Sequence, residues 1–382
     1  MAVIDITNDD LSQFSGRGPA FVTYGEVMVR DTPADEERLE RTRLVHLSLA
    51  GSEYSVAIGL SRLGIRSGYV TRVPDNAYGR AVRNIAREQG VDTAHIVWAP
   101  AVEPIGRYLY ELGRTPRPGS GTYQRMYSAA SRLGAGMVDW AAALRDARLF
   151  HTSGITLGLA VHSGYERNHG YQAFKEALDC RPAGCLAGLD WNYRSTLWTV
   201  DEARRTLDAA LAEGLDVLIT SPFDMAHFYG IGCGQYPAER VLAGEEGPLE
   251  DDDVLAFAEQ VRRRLGVRIV AITRRYADSY EQQRWESAAV DGDGHLARSA
   301  AVRSMALLDS LGGGDAWLAG FYYGLLTAGT GAAGIAQGIL VGDAATRLQQ
   351  TLMFDLPIVD RADIQALLRA DAAGGGPART RR

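Results

Sequence analysis

Lysine is almost absent from this 382-residue chain: of its 40 basic residues only Lys175 is a lysine. The shortage excludes a GxxxxGK[ST] phosphate loop, which needs an ammonium to reach the β- and γ-phosphates; Lys175 lies in a plain amphipathic stretch, AFKEAL. HRD and DFG are missing too, which closes the protein-kinase arrangement. Cysteine is scarce. Cys180, Cys185 and Cys233 make an odd number without zinc spacing, so free buried thiols are expected rather than disulfides or a zinc site. No apolar run approaches the ~18 residues that span a bilayer. The first twenty residues lack the basic and apolar parts of a signal peptide, so a cytoplasmic chain without a membrane partner is expected. A net charge of -7 leaves no broad surface for nucleic acid, and any anionic ligand must meet local positive charge.

Short β-rich apolar runs alternate with helical patterns: FVTYGEV, GYVTRV, ARLFHTSGI, CLAGLDWN, DVLITS and VRIVAIT. This rhythm predicts an α/β fold with a mainly parallel sheet and crossover helices. Several runs end on polar residues, at Ser153, Asp190, Ser221 and Thr273, where ligands bind in open α/β sheets. Two segments, about 27–49 and 104–127, carry shorter alternations (VHLSL, RYLYEL, TYQRMY) broken by Gly and Pro, which predict a small β-sheet serving as a lid. One domain over 20–368 with that lid is expected, and 1–19 and 369–382 as flexible ends. The acidic run EDDD before a helix at about 252–265 reads as N-terminal capping charge. Gly329–Gly334 matches GxGxxG but follows a helix, not a strand, and reads as a turn between helices.

The densest motif is DSLGGGDAWLAG, Asp309 to Gly320. Glycines without Cβ atoms let successive NH groups converge on an anion, and a following helix adds the positive end of its dipole. A tight turn with Asp315 as a first-turn cap accounts for the bare GGGD equally well. The apolar continuation AWLAGFYYGLL favours a helix buried under a ligand.

In its extended form this motif resembles the C-terminal signature of the ribokinase-like, or PfkB, sugar kinases. YGEVMVR, AGSEYSVAIGLSRLG, VTRVPDNAYG, YQRMYSAAS and LDWNYRSTLW extend the resemblance from Thr23 to about Pro357, and within the family it is greatest to the 2-keto-3-deoxygluconate kinases. The resemblance implies a three-layer ribokinase-like fold. It also implies transfer of the ATP γ-phosphoryl group, with Mg²⁺, to a sugar hydroxymethyl group. Asp315 matches the family's base, ionised at neutral pH near a helix N-terminus, and Gly312, Gly313 and Gly314 match its anion hole. Gly51 and Ser55 match the sugar loop; Tyr108, Tyr123, Arg125 and Arg194 match positions that meet a sugar acid, where arginine forks suit a carboxylate. Ser221, Asp224 and Thr273, with Gly312 and Gly314, fall on the nucleotide side, and Asp224 on the metal side through a water. A monovalent cation is open as a further cofactor, and pairing of lids into a homo-oligomer as an assembly.

The chain also departs from the family pattern. Ala50 and Ser55 stand where the sugar loop usually has Gly and Asn, Gln124 replaces an Asp, Ser221 to Asp224 replaces NxxE, and Phe354-Asp355 replaces a GD turn. The expected reaction is phosphorylation of 2-keto-3-deoxygluconate at O6. The alternatives are 2-keto-3-deoxygalactonate, fructose or another sugar or nucleoside, or a catalytically impaired sugar-binding protein of the same fold.

Overall fold

The computed structural model describes residues 4–16, 18–164, 168–245, 250–301 and 303–374. Runs that are apolar at consecutive positions need cover on both faces, so they pair side by side in the interior of a sheet. The strands are β1 (Phe21–Tyr24), β2 (Met28–Pro33), β3 (Val45–Ala50), β4 (Ser67–Pro74), β5 (Ile96–Ala99), β6 (Gly106–Glu111) and β7 (Ser120–Gln124). They continue as β8 (Leu149–Ser153), β9 (Leu186–Asp190), β10 (Val217–Thr220), β11 (Ile269–Ala277), β12 (Gln282–Val290), β13 (Leu296–Arg298) and β14 (Arg303–Ala306).

The large sheet runs β13-β12-β11-β10-β9-β8-β1-β4-β5, with β14 beside β12. Every neighbour from β11 to β5 is parallel. Successive residues of these strands face opposite ways. Phe21, Tyr69, Leu149, Val217 and Ile269 therefore join one core with the helices Ser52–Arg62, Gly313–Ala328 and Ala332–Gln349. Val22, Val70, Phe150, Leu218 and Val270 join the other with His169–Cys180, Val200–Ala212 and Asp251–Leu265. The result is the expected three-layer ribokinase-like arrangement.

A separate sheet of order β3-β2-β6-β7 forms from the two alternating segments. Its centre, β2 with β6, is parallel, so hairpins alone do not build it. β7 stops at Gln124, and Arg125 and Met126 lead into a bend where Tyr127 has φ 60°. Leu47 of the edge strand β3 and Leu44 just before it stand more than half exposed, at 54% and 62%.

Other expectations need correction. The antiparallel edge β12–β14 has no counterpart in the apolar runs, because its sequence alternates with polar residues. Among the described residues before Phe21, Ile6 packs onto the domain: it is fully buried, its NH donates to Gln365 Oε1 at 2.9 Å, and its carbonyl accepts from Arg361 at 3.2 Å. The last helix, Arg361–Ala372, runs beyond residue 368. The rest of the tail expected to be flexible, 375–382, lies outside the described residues, as do 1–3. Cys180 is exposed, while Cys185 and Cys233 are buried. The helix Asp251–Leu265 stands near the expected 252–265, and a short helix, Ala238–Leu242, precedes it. No helix is long and apolar enough to cross a membrane among the described residues.

The helix behind the glycine loop is fixed by backbone contact. Gly313–Ala328 and Ala332–Gln349 form a hairpin about the Gly329–Gly334 turn, and a Cβ on Gly324 would lie 2.2 Å from the Gly338 nitrogen. No side chain fits there, so Gly324→Ala should lower stability by about 1–3 kcal/mol through overpacking. Gly314 faces open space, with nothing within 4 Å of an added Cβ, and Gly314→Ala should leave the urea midpoint unchanged or raise it. Urea titration of both variants checks the contrast.

Candidate active site

The carboxyl ends of β8 to β11 open into a cavity of about 440 Å³ beneath the small sheet. Gly51, Tyr108, Tyr123 and Arg125 line it from the small sheet and the start of the helix Ser52–Arg62. Arg194, Ser221, Asp224 and Thr273 line it from the ends of β9, β10 and β11. Gly312, Gly314 and Asp315 complete it from the loop before the helix Gly313–Ala328. Eleven positions expected at the site therefore share one cavity.

Gly312 adopts φ 76°, a left-handed conformation suited to glycine, and a Cβ there would strike the Asp355 carbonyl at 2.4 Å. The helix begins at Gly313. The NH groups of Gly313, Gly314 and Asp315 thus lie in a first turn that has no intrahelical acceptors. Asp315 Oδ1 accepts from Ser52 Oγ at 2.7 Å. Burial outweighs this bond and the helix dipole, so the Asp315 carboxyl is pushed up to about 7. Burial therefore opposes the full ionisation expected at neutral pH.

Other carboxylates crowd the same space. Asp190, at the end of β9, is pushed up to about 8 by burial and by the charge of Asp315. Asp224 is raised by burial, although Ser221 Oγ donates to its Oδ2 at 2.8 Å. The Ser221 to Asp224 segment is itself a helix cap, with Ser221 Oγ accepting from the Asp224 NH at 3.1 Å. Asp190 and Asp224 both line the cavity and offer carboxylate oxygens of the kind that hold a hard divalent cation. Arg194 reaches the cavity because Asn192 turns the chain at φ 39°, a conformation asparagine tolerates. Its only hydrogen bond among the described residues is to the Tyr193 carbonyl, and it has no ion pair there.

Two expected site residues do not line the cavity. Ser55 is fully buried, its hydroxyl without a hydrogen-bond partner, because it falls on the core side of the first helical turn. Ser52, at the helix start, takes the place beside Asp315 instead. Gly313 packs against the neighbouring helix, where a Cβ would meet Gln350 at 2.4 Å and Thr346 at 3.0 Å. Arg125 lines the cavity, but its Nε and Nη2 both donate to Glu26 Oε2, whose other oxygen accepts from Ser128. Its charge already has a partner. Sequence reading placed Asp190 at a ligand-facing strand end without giving it a role, and it missed Arg275, an arginine in the cavity. Their position at strand ends was the only available signal.

The most connected group is Arg30 of β2, fully buried, which carried no functional reading. Its Nη2 donates to Asp309 and its Nη1 to Asp355, each at 2.6 Å, and its Nε to Thr32. Tyr108 donates to the Asp355 carboxylate at 2.9 Å and stacks on Tyr123 at 5.3 Å. Asp309 also accepts from the NH groups of Leu311 and Phe354, both at 3.1 Å. Phe354 holds a left-handed φ of 72° beneath the guanidinium, a conformation a bulky residue keeps only when its surroundings impose it.

A large, mostly parallel α/β sheet with a small sheet over its strand ends and a glycine loop opening a buried helix defines a carbohydrate-kinase fold. The chain is a member of the pfkB family of carbohydrate kinases, whose model matches residues 20–352. It is 28% identical over 358 residues to a 2-dehydro-3-deoxygalactonokinase of Haloferax volcanii, covering 92% of this chain and 98% of that one. It superposes on the 2-dehydro-3-deoxygluconokinase of Thermotoga maritima with a TM-score of 0.80 at 28% identity, covering 91% and 99% of the two chains. A putative ribokinase II of E. coli, solved in complex with ATP and Mg²⁺, shares the fold with a TM-score of 0.70, 18% identity and coverage of 92% and 99%.

Removing Arg30 leaves two buried carboxylates facing each other. Arg30→Met should therefore cost about 3–5 kcal/mol, whereas Arg30→Lys keeps the charge and should cost less. Urea midpoints of the two variants test this; equal midpoints would refute the assignment.

Proposed function

We propose that the protein is a sugar-acid kinase that transfers the γ-phosphoryl group of ATP to the terminal hydroxymethyl of a 2-keto-3-deoxy aldonic acid, with 2-keto-3-deoxygluconate as the first candidate. One observation carries the acid: Arg194 stands in the cavity without an ion pair, although acidic groups line the same cavity. A guanidinium fork there suits a substrate carboxylate. Arg125, fixed by Glu26, presents a neutralised hydrogen-bonding edge, and Tyr108 and Tyr123 a stacked aromatic wall.

Ser52 holds Asp315 Oδ1, while Oδ2 has no protein partner among the described residues. The free oxygen is available to take the hydroxyl proton as the sugar oxygen bonds to phosphorus and the bridging bond to ADP breaks. The first-turn NH groups take up charge on the phosphoryl oxygens. Asp224 and Asp190 would hold Mg²⁺, which neutralises phosphate charge when bound. The Haloferax volcanii relative favours 2-keto-3-deoxygalactonate as the second reading.

Coupled ADP release on both epimers, fructose and a nucleoside should show the two acids preferred; preference for a neutral sugar would refute the acid assignment. Arg194→Ala should then raise KM for the acid by about tenfold or more, the loss of one charge-assisted hydrogen bond. Because Asp315 must be ionised to accept a proton and sits near 7, kcat/KM should rise as pH increases from 6 to 8. Asp315→Asn should abolish turnover and the rise, yet keep the thermal shift produced by sugar acid. Retained turnover would remove Asp315 as base.

A further inference from the structure

β11 pairs with β10 only as far as Ile272, opposite Thr220. Beyond that point Thr273 to Ala277 continue as a two-stranded ribbon with β12, past the edge of the parallel sheet and alongside the cavity. Side chains alternate along such a ribbon. Arg274 turns away from the cavity, pairs with Glu286 opposite it at 3.4 Å and lies 4.9 Å from the Tyr276 ring. Thr273 and Arg275 turn inward, and Trp285, opposite Arg275 in register, lines the same cavity. Arg274 thus has the structural role; Arg275 has none.

Arg275 makes no ion pair and no side-chain hydrogen bond with any described residue. Its charged neighbours are Arg194, which repels it, and Asp315, which attracts it. Surrounding protein and Arg194 together lower its pKa, although the side chain opens to solvent in the cleft. Two cations held close together without partners are unfavourable until an anion arrives. The reaction offers two anions, the substrate carboxylate and the phosphoryl group. Arg275 shares its cavity with the glycine loop, where the Tyr110 hydroxyl lies 3.2 Å from Ser310 Oγ, two residues before Gly312. Arg275 therefore lines the same cavity as Gly312, Gly314 and Asp315, on the strand that carries Thr273.

We infer that Arg275 is a catalytic residue of phosphoryl transfer, its guanidinium sharing with the NH groups of Gly313 and Gly314 the charge on the phosphoryl oxygens in transit. The inference rests on the kinase reading above. The sugar oxygen bonds to the γ-phosphorus as the bond from phosphorus to the bridging oxygen of ADP breaks, and the hydroxyl proton goes to Asp315. Arg275 stays protonated throughout and moves no proton. It acts as a preorganised cation supplied within the chain, so its effect belongs to the transition state and not to the ground state.

Steady-state kinetics of wild type, Arg275→Ala and Arg275→Lys, with sugar acid and ATP varied in turn, test this. Arg275→Ala should lower kcat by about 10²–10³-fold, the loss typical of one oxyanion donor, with KM for the sugar acid within about threefold of wild type. Arg275→Lys should fall between the two, and added guanidinium should restore part of the activity of Arg275→Ala. A raised sugar-acid KM at unchanged kcat would assign Arg275 to the carboxylate and overturn the inference, as would wild-type kinetics in Arg275→Ala. A wild type that turns over no sugar acid fails before any variant is made, and that result sinks the kinase reading itself. Thermal melting of Arg275→Lys, expected at the wild-type temperature, separates lost catalysis from lost folding.

Discussion

One guanidinium joins the two sheets of this kinase. Arg30 rises from the small sheet into a place without solvent and meets Asp309, which precedes the glycine loop, and Asp355, whose backbone presses against Gly312. Each charge alone would be costly to bury; together, with Tyr108, Thr32 and two backbone NH groups supplying the remaining hydrogen bonds, they satisfy one another. The positions of the loop, of the strained Phe354 and of the stacked Tyr108 and Tyr123 all follow from that joint. A hydrophobic contact could hold the sheets together as strongly, but it would not fix the direction in which the loop presents its NH groups.

The second organising constraint is electrostatic. Burial raises the proton affinity of Asp190, Asp224 and Asp315, the charges of Asp315 and Asp224 raise that of Asp190 further, and Arg194 and Arg275 line the same cavity without an ion pair to any described residue. A site that neutralised itself would have no field left for a ligand. Here the pairing is withheld at Arg194 and Arg275, where chemistry is proposed, and completed elsewhere: Arg72 with Glu103, Arg274 with Glu286. The unpaired groups are destabilising to the fold, which is the usual relation between an active site and its scaffold.

Much of this was legible in the chain because the signals were local. The parallel strands announced themselves through apolar runs covered on both faces, and the loop through three glycines before an aspartate. What escaped was set by tertiary contact. Arg30 sits in MVRDTP, which reads as a lid strand with a solvated arginine, and its two partners lie 279 and 325 residues away. Ser52 and Ser55 are equally polar in sequence, and only the start of the helix decides which one faces Asp315. Arg274 and Arg275 are adjacent and chemically identical; strand alternation alone gives one an ion pair and leaves the other open. The β12 edge was missed because QQRWESAAV mixes polar and apolar residues as a solvated segment does.

The Arg30 joint also bears on the order of events in catalysis. The small sheet, which lines one wall of the cavity, and the loop that offers its NH groups hang from the same pair of carboxylates. A displacement of one sheet would be carried to the other through these ion pairs, which would link the occupancy of the two halves. By reciprocity, whatever factor the acid contributes to nucleotide affinity the nucleotide must return to the acid. A rigid ion triad thereby becomes the means by which two substrates, binding to separate walls, register each other's presence.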